Sequence, residues 1–329
     1  MKKIFKKISI VLFALTLIMS SLVGCGSSSS GGSGSSSKKI LFAFHDEGSS
    51  YLSKFLEVAS GELSQMGYTY DVVYCEKNTA KQKEQIEAAN GQYAVIVCRL
   101  ADASTALQME AAANGTPIVF INNKPGEDYL KANQYVYVAS YEQDAGTYQA
   151  EYIWNGLGKP TTVNAIVLKG QKGHSAVAPR TDAIKYFFWD NQVEINLVFA
   201  DFMDWSGDTA YKKLDVFKNT NQSFDCIFSN NDAMALSAIQ WLKDNGYDTS
   251  KILVAGLDGS SDGCQAILDG DMYMTVLQDT EAQSKAAMQA VQALAKGKDI
   301  TDIEGATEDG KFIWVPFVAI DKNNAKSYL

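Results

Sequence analysis

The chain has 329 residues, 46% of them hydrophobic, and a formal net charge of −9. That acidity speaks against nucleic acid as a partner. Two histidines far apart in sequence and five cysteines without a CxxC pair give no clustered ligand set, so neither a bound metal nor a cofactor is expected.

The first residues read as a targeting segment. Lys2, Lys3, Lys6 and Lys7 precede an apolar stretch from Ile8 to Met19, and Leu22-Val23-Gly24-Cys25 follows. A basic start, a short apolar core and small residues before a cut site form a secretory signal. The stretch is short for a membrane span, which speaks against an uncut anchor helix. The tetrad resembles the lipobox of bacterial lipoproteins, which implies cleavage after residue 24 and a lipid on Cys25. Residues 26–37 are only glycine and serine, a composition that buries nothing and acts as a flexible tether. Residues 1–24 are thus expected to be the signal peptide, and 25–38 the lipidated cysteine and its tether. Loss of the signal removes four lysines and no acid, leaving 25 basic residues against 38 acidic.

From residue 39 onward, short apolar runs alternate with helix-length amphipathic segments. The runs lie at 40–44, 70–74, 94–97, 117–121, 135–138, 164–168, 224–228, 252–255 and 273–277. Near-continuous apolar runs suit strands buried on both faces of a parallel sheet. Helices are expected over 50–66, stopped by Gly67, over 142–155, stopped by Gly156-Leu-Gly158 with Pro160 beyond, and over 232–245, stopped by Gly246. The alternation predicts a doubly wound α/β fold. The strands are too many for one comfortable sheet and divide into two lobes; a single eight-unit barrel is the competing arrangement. Cys75, Cys98 and Cys226 sit in or beside apolar runs and read as small buried hydrophobes.

In open α/β sheets, ligands bind beyond the carboxyl ends of the strands. The residues there are planar and polar: Arg99, Asn122, His174, Asn231, Asp258 and Gln278. Amides, carboxylates and guanidinium groups pair with adjacent hydroxyls of a polyol. Tyr51 and Trp205 are candidate platforms for the CH faces of a sugar. Each also has an ordinary reading: Asp232 and Ser260 as helix caps, a lone Trp as core.

Longer segments carry a family resemblance. Residues 117–125 (PIVFINNKP), 168–174 (LKGQKGH) with Arg180, 229–235 (SNNDAMA), 254–258 (VAGLD), 275–279 (TVLQD) and 315–323 (VPFVAIDKN) together resemble the type I periplasmic binding proteins, and within them the galactose/glucose-binding branch. The resemblance implies two Rossmann-like lobes, 39–140 plus 279–314 and 141–278 plus 315–329, joined by a three-segment hinge. It implies ligand contacts at Asn122, His174, Arg180, Asn231 and Asp258, with Tyr51, Gln278 and Trp205 at further contact positions. It also implies a monomer that binds a sugar-like molecule, closes over it and passes it to an ABC transporter permease. Some positions depart from that branch. Ser49 stands where an acid is usual, which leaves Asp46 or Glu47 as a candidate replacement, and Ala176 stands where a second carboxylate is usual. Arg99 adds a positive charge. Residues 158–164 lack the carboxylates of a calcium loop. These departures favour other guests of the same fold, such as a nucleoside, a furanone signal or an acidic sugar, and a sensor component is a further alternative. An enzyme would need a nucleophile or paired acid beside His174, which no motif supplies.

Overall fold

The computed structural model describes residues 39–48 and 50–329; the expected signal, Cys25, the tether and Ser49 lie outside the described residues. In chain order the elements are β1 Lys39–Phe44, α1 Ser50–Met66, β2 Thr69–Tyr74, α2 Thr79–Ala88, β3 Val95–Cys98, α3 Ala106–Ala113, β4 Ile118–Ile121 and β5 Tyr135–Ala139. They continue with α4 Glu142–Gly156, β6 Thr162–Lys169, α5 Val177–Asp190, β7 Glu194–Phe202, α6 Gly207–Phe217, β8 Cys226–Ser229, α7 Asp232–Asp244 and β9 Leu253–Ala255. The last are α8 Ser261–Leu268, β10 Thr275–Leu277, α9 Thr280–Ala295, β11 Phe312–Trp314 and β12 Val318–Ile320.

Six parallel strands form one sheet in the order β2-β1-β3-β4-β5-β11. Four parallel strands form a second, β7-β6-β8-β9, and β10 pairs antiparallel with β12. Both larger sheets are open, so the barrel alternative is excluded. Alternate residues of each strand enter different cores, because side chains alternate across a strand. In β1, Ile40, Phe42 and Phe44 pack with α1 and α9 on one face, while Leu41 and Ala43 pack with α2 and α3 on the other. In β6, Ile166 and Leu168 face α6, α7 and α8, while Val163, Ala165 and Val167 face α4 and α5. Double-sided burial is why these strands read as unbroken apolar runs. All four cysteines from Cys75 onward are buried and free.

All nine expected runs fall on strands. Three strands went unread. β7 is an edge strand, half-exposed along its length. Its pairing with β6 jumps from Leu197 to Phe199, so Val198 is an extra residue. Such a bulge breaks the two-residue alternation that marks a one-sided strand. β11 and β12 have three residues each, too short to register as runs.

The chain passes between the sheets three times, from β5 to α4, from β10 to α9 and from β11 to β12. Two fully buried glutamines brace the strand ends that face the site. Gln82 of α2 donates to the carbonyls of Ala43 and Arg99 (3.3 and 2.9 Å) and accepts from Ala101 N (3.0 Å). Gln149 of α4 donates to the carbonyls of Ser229 and Gly256 (2.7 and 2.8 Å). Each supplies partners to backbone groups at strand ends, and such groups are costly when buried unpaired. Gly146 fits the same helix against α5: a Cβ there would lie 2.1 Å from the carbonyl oxygen of Arg180. Replacing Gln149 by Leu strands the Ser229 and Gly256 carbonyls. We expect a loss of about 1–3 kcal/mol in unfolding free energy, measurable by urea denaturation.

Candidate functional site

A cleft of about 960 Å³ opens at the carboxyl ends of the strands of both large sheets. All ten residues singled out in the sequence line it: Asp46, Tyr51, Arg99 and Asn122 from the first sheet's side, His174, Arg180, Trp205, Asn231, Asp258 and Gln278 from the second's. The two sides touch beside it. Ser175, after β6, accepts from Lys124 N at 2.7 Å, and its own N–H donates to Asn123 Oδ1 at 3.2 Å.

Arg180 is the most elaborately held of the ten. It is buried on α5; its Nε donates to Glu142 Oε2 (2.6 Å), Nη1 to the Asn230 carbonyl (2.8 Å) and Nη2 to Gln278 Oε1 (3.2 Å). Its guanidinium carbon lies 5.9 Å from the Trp205 ring centre, a cation–π arrangement. Gln278 is only 7% exposed and its Nε2 has no partner. A buried amide N–H left open at a cleft wall is a donor awaiting an acceptor.

The other polar residues divide by how far local structure consumes them. Asn231 caps α7, accepting from Met234 N at 3.0 Å and donating weakly to the Trp205 carbonyl. Asp232, expected to be a cap, is not one. It is 1% exposed and accepts from Thr275 Oγ1 (2.6 Å) and from Ser260 N and Oγ (2.8 Å each), so it braces α7 against α8 and β10. Burial removes it from the pool of groups that titrate normally and raises its pKa. Ser260 does cap α8, accepting from Gly263 N. Tyr51 gives its hydroxyl to Gln283 Oε1 (2.6 Å) and stacks its ring on Phe55. Asp46 pairs with Lys77 at 3.0 Å and accepts from Gly48 N at 2.8 Å.

Three of the cleft residues carry backbone strain. Asn122, Trp205 and Asp258 adopt φ of 60°, 61° and 128°. Asparagine tolerates the first; a bulky Trp and an Asp at 128° do so only when their surroundings over-determine them. The Trp205 ring covers Gly170 so closely that a Cβ on Gly170 would meet it at 2.1 Å. The edge of that ring faces His174 at 5.2 Å. Asp258 is held through its backbone, which pairs with Val276 and Gln278.

Electrostatics sets the protonation of the cleft groups. Burial and the nearby Arg99, Arg180 and His45 push His174 well below its usual range, so its imidazole is neutral. Its Nδ1 accepts from Ala176 N (3.2 Å), which leaves the ring proton on Nε2. His45 is lowered to about 3, by burial and then by Arg99. Asp258 is open to the cleft, yet the protein surrounding it, and then Asp232, push it up to about 8.

Two participants went unnoticed in the sequence, and a third was read only by its place at a strand end. His45 follows β1 as Asn122 follows β4, and the same strand-end reasoning reaches it. Glu142 looked like an ordinary acid at a helix start. Asn230, whose Oδ1 accepts from Gly170 N at 3.2 Å, carried no signal beyond its place after β8.

Residues 40–299 match the family model of the periplasmic binding protein domain. The chain belongs to that family. It is 29% identical over 231 residues to the D-galactose/methyl-galactoside binding periplasmic protein of Haemophilus influenzae, a stretch covering 67% of this chain and 69% of that one. It is 26% identical over 242 residues to the ribose import binding protein of Bacillus subtilis, covering 73% and 75%. Among solved structures, an ABC transporter solute binding protein of Bacillus halodurans with bound myo-inositol superposes with a TM-score of 0.78 at 21% identity, over 90% of this chain and 98% of that one. That likeness places the fold among the type I binding proteins: two lobes of parallel sheet and helices joined by a three-segment hinge.

The Asp258 carboxyl generates a prediction with a definite sign. Unfolded, it ionises near its ordinary 3.8; folded, it keeps its proton to about 8. Between those values the native state binds more protons, so this group's contribution to stability falls as pH rises. Asp258→Asn removes the dependence. We expect the variant to gain stability relative to the parent at pH 8 and to differ little at pH 4, read from melting temperatures without ligand.

Proposed function

We propose that this chain is an extracytoplasmic solute-binding lipoprotein that captures a monosaccharide-like ligand by hinge closure and delivers it to an ABC transporter permease. The carrying observation is that ten hydrogen-bonding or aromatic side chains, contributed by both sheets, share one cleft. Amides, a guanidinium group, a neutral imidazole and carboxyls match the in-plane donors and acceptors of ring hydroxyls. Trp205 and Tyr51 offer ring faces for CH groups. Family membership, and relatives named for galactose and ribose, support the class of guest and the transport role. The reading is of binding rather than catalysis: His174 Nδ1 is engaged by backbone and is not available as a base.

Closure follows from the division of the site. With lobes of 39–140 plus 279–314 and 141–278 plus 315–329, neither half alone surrounds a guest. A ligand that touches both favours the closed form by its differential affinity. The contacts of Ser175 with Lys124 and Asn123 add to that form at no cost to the pocket. In this reading the protein is a monomer tethered by Cys25 through the Gly/Ser stretch, all of which lies outside the described residues.

A thermal-shift screen of the full-length chain against neutral monosaccharides, sugar acids, polyols and nucleosides tests the proposal, since a ligand that binds only the native state raises its melting temperature. At least one sugar or sugar derivative is expected to do so. Asp258→Ala is expected to weaken that ligand by about tenfold to a hundredfold, the worth of a hydrogen bond at such a group. No response from any sugar-like compound, or a response untouched by Asp258→Ala and Arg180→Ala alike, overturns the site.

A further inference from the structure

Four cationic side chains line the cleft: Lys54, Lys77, Arg99 and Arg180. Three have acid partners, Glu57 (3.2 Å), Asp46 (3.0 Å) and Glu142 (2.6 Å). Arg99 has none. It is the second most buried of the cleft cations at 5% exposure, and its hydrogen bonds go to neutral oxygens: Nε to Asn122 Oδ1 (3.1 Å) and Nη1 to the Leu100 carbonyl (3.0 Å). Among the described residues no acceptor meets its Nη2. A buried guanidinium without a counter-charge is one of the costliest arrangements a fold can keep.

The surroundings of Arg99 are arranged for an anion. His45 and His174 both feel its charge, and both are held neutral, so neither adds a repelling proton nor supplies the missing negative charge. His174 presents Nε2–H as a donor, and His45 Nδ1 is buried without a partner. The acids of the opposite wall belong elsewhere. Asp232 is consumed by Thr275 and Ser260, and Asp258 sits with Asp232, Arg180 and Glu142. Asp204 and Asp262 are exposed at the rim. On the first sheet's side Asp46 is spent on Lys77 and the charge of Arg99 stays unmatched, while the second side supplies further amides and acids.

We propose that the guest is a sugar acid, its carboxylate docking on Arg99 in the corner shared with His45 and His174 while its hydroxyls meet Gln278, Asn231 and Asp258. This rests on the solute-binding reading above and deepens it. One unmatched cation calls for a monoanion, which favours a carboxylate over a phosphate dianion. Charge-assisted, two-point hydrogen bonding by guanidinium suits a planar carboxylate.

The test compares D-galacturonate, D-glucuronate and D-gluconate with their neutral parents galactose and glucose, and with the uronate methyl esters, by calorimetric titration of the full-length chain. At least one acid is expected to bind tenfold or more tighter than both its parent sugar and its ester. The ester removes the charge while leaving the protein untouched, so this arm does not depend on any variant folding. In Arg99→Gln the acid-to-ester ratio is expected to fall below about threefold, and in Arg99→Lys to survive in part. Neutral sugars or esters that bind as tightly as the acids overturn the proposal while leaving the solute-binding reading intact. So does tighter binding of glucose 6-phosphate than of any carboxylate. Silence from every compound here overturns the proposal, and silence that extends to the whole thermal-shift screen overturns the solute-binding reading as well.

Discussion

The buried pair of Arg180 and Glu142, 2.6 Å apart, is the joint on which the rest of the cleft is built. A guanidinium and a carboxylate removed from water cost several kcal/mol each unless geometry and further hydrogen bonds compensate. Here every nitrogen of Arg180 is used, and each bond reaches a different part of the chain. Glu142 begins α4 just after the first crossing, Gln278 lies on the second crossing after β10, and Asn230 directly follows β8. One side chain thus fixes two hinge strands and one strand end relative to α5. Gly146 lets α4 approach α5 closely enough for the pair to form at all. Removing either partner alone leaves a buried charge, typically worth about 3–5 kcal/mol.

A comparable logic holds the opposite wall with neutral groups. Gln283 of α9 accepts from the Tyr51 hydroxyl and donates to Ser140 Oγ (2.8 Å), tying the first crossing to α1 and α9. Gln82 and Gln149 do the same for strand ends. Gln82 and Gln283 use both ends of their amides and Gln149 uses its NH2 group, and buried hydrogen-bond networks of this kind rigidify. The stiffness has a use: three strained backbones, at Asn122, Trp205 and Asp258, are kept in place by it. Strained backbone at ligand-facing positions on both sides of the cleft is what a preorganised binding surface looks like.

Much of this was legible because the physics that makes a strand also writes a pattern. Strands with helices on both faces bury every residue, so β1, β3, β4, β6 and β8 announced themselves as apolar runs. β7 did not, since an edge position and the extra residue Val198 erase both signatures. Strand-end reasoning brought ten residues to one cleft because a parallel sheet sends every carboxyl end to the same rim. It said nothing of which polar group is free. Asn231 and Asp232 are neighbours of similar chemistry, yet Asn231 caps a helix and Asp232 braces two elements, a difference set by packing between segments 28 and 43 residues apart. His45 escaped for a related reason: its distance from His174 in sequence hid that both end strands on the same rim.

The contrast between the two arginines is the last step. Both are buried, both sit at the cleft, and both would be severe liabilities as lone charges. Arg180 carries its counter-charge within the fold and so contributes to the architecture whether or not a guest is present. Arg99 is braced only by an amide and a carbonyl, and two neighbouring imidazoles are held neutral by burial and then by its charge. A fold that balances one guanidinium so completely and leaves the other unbalanced 81 positions earlier has divided the work. One charge holds the hinge in shape. The other remains as a standing electrostatic deficit that closure around the right guest relieves, and a two-lobed protein can turn such relief into a shift from open to closed.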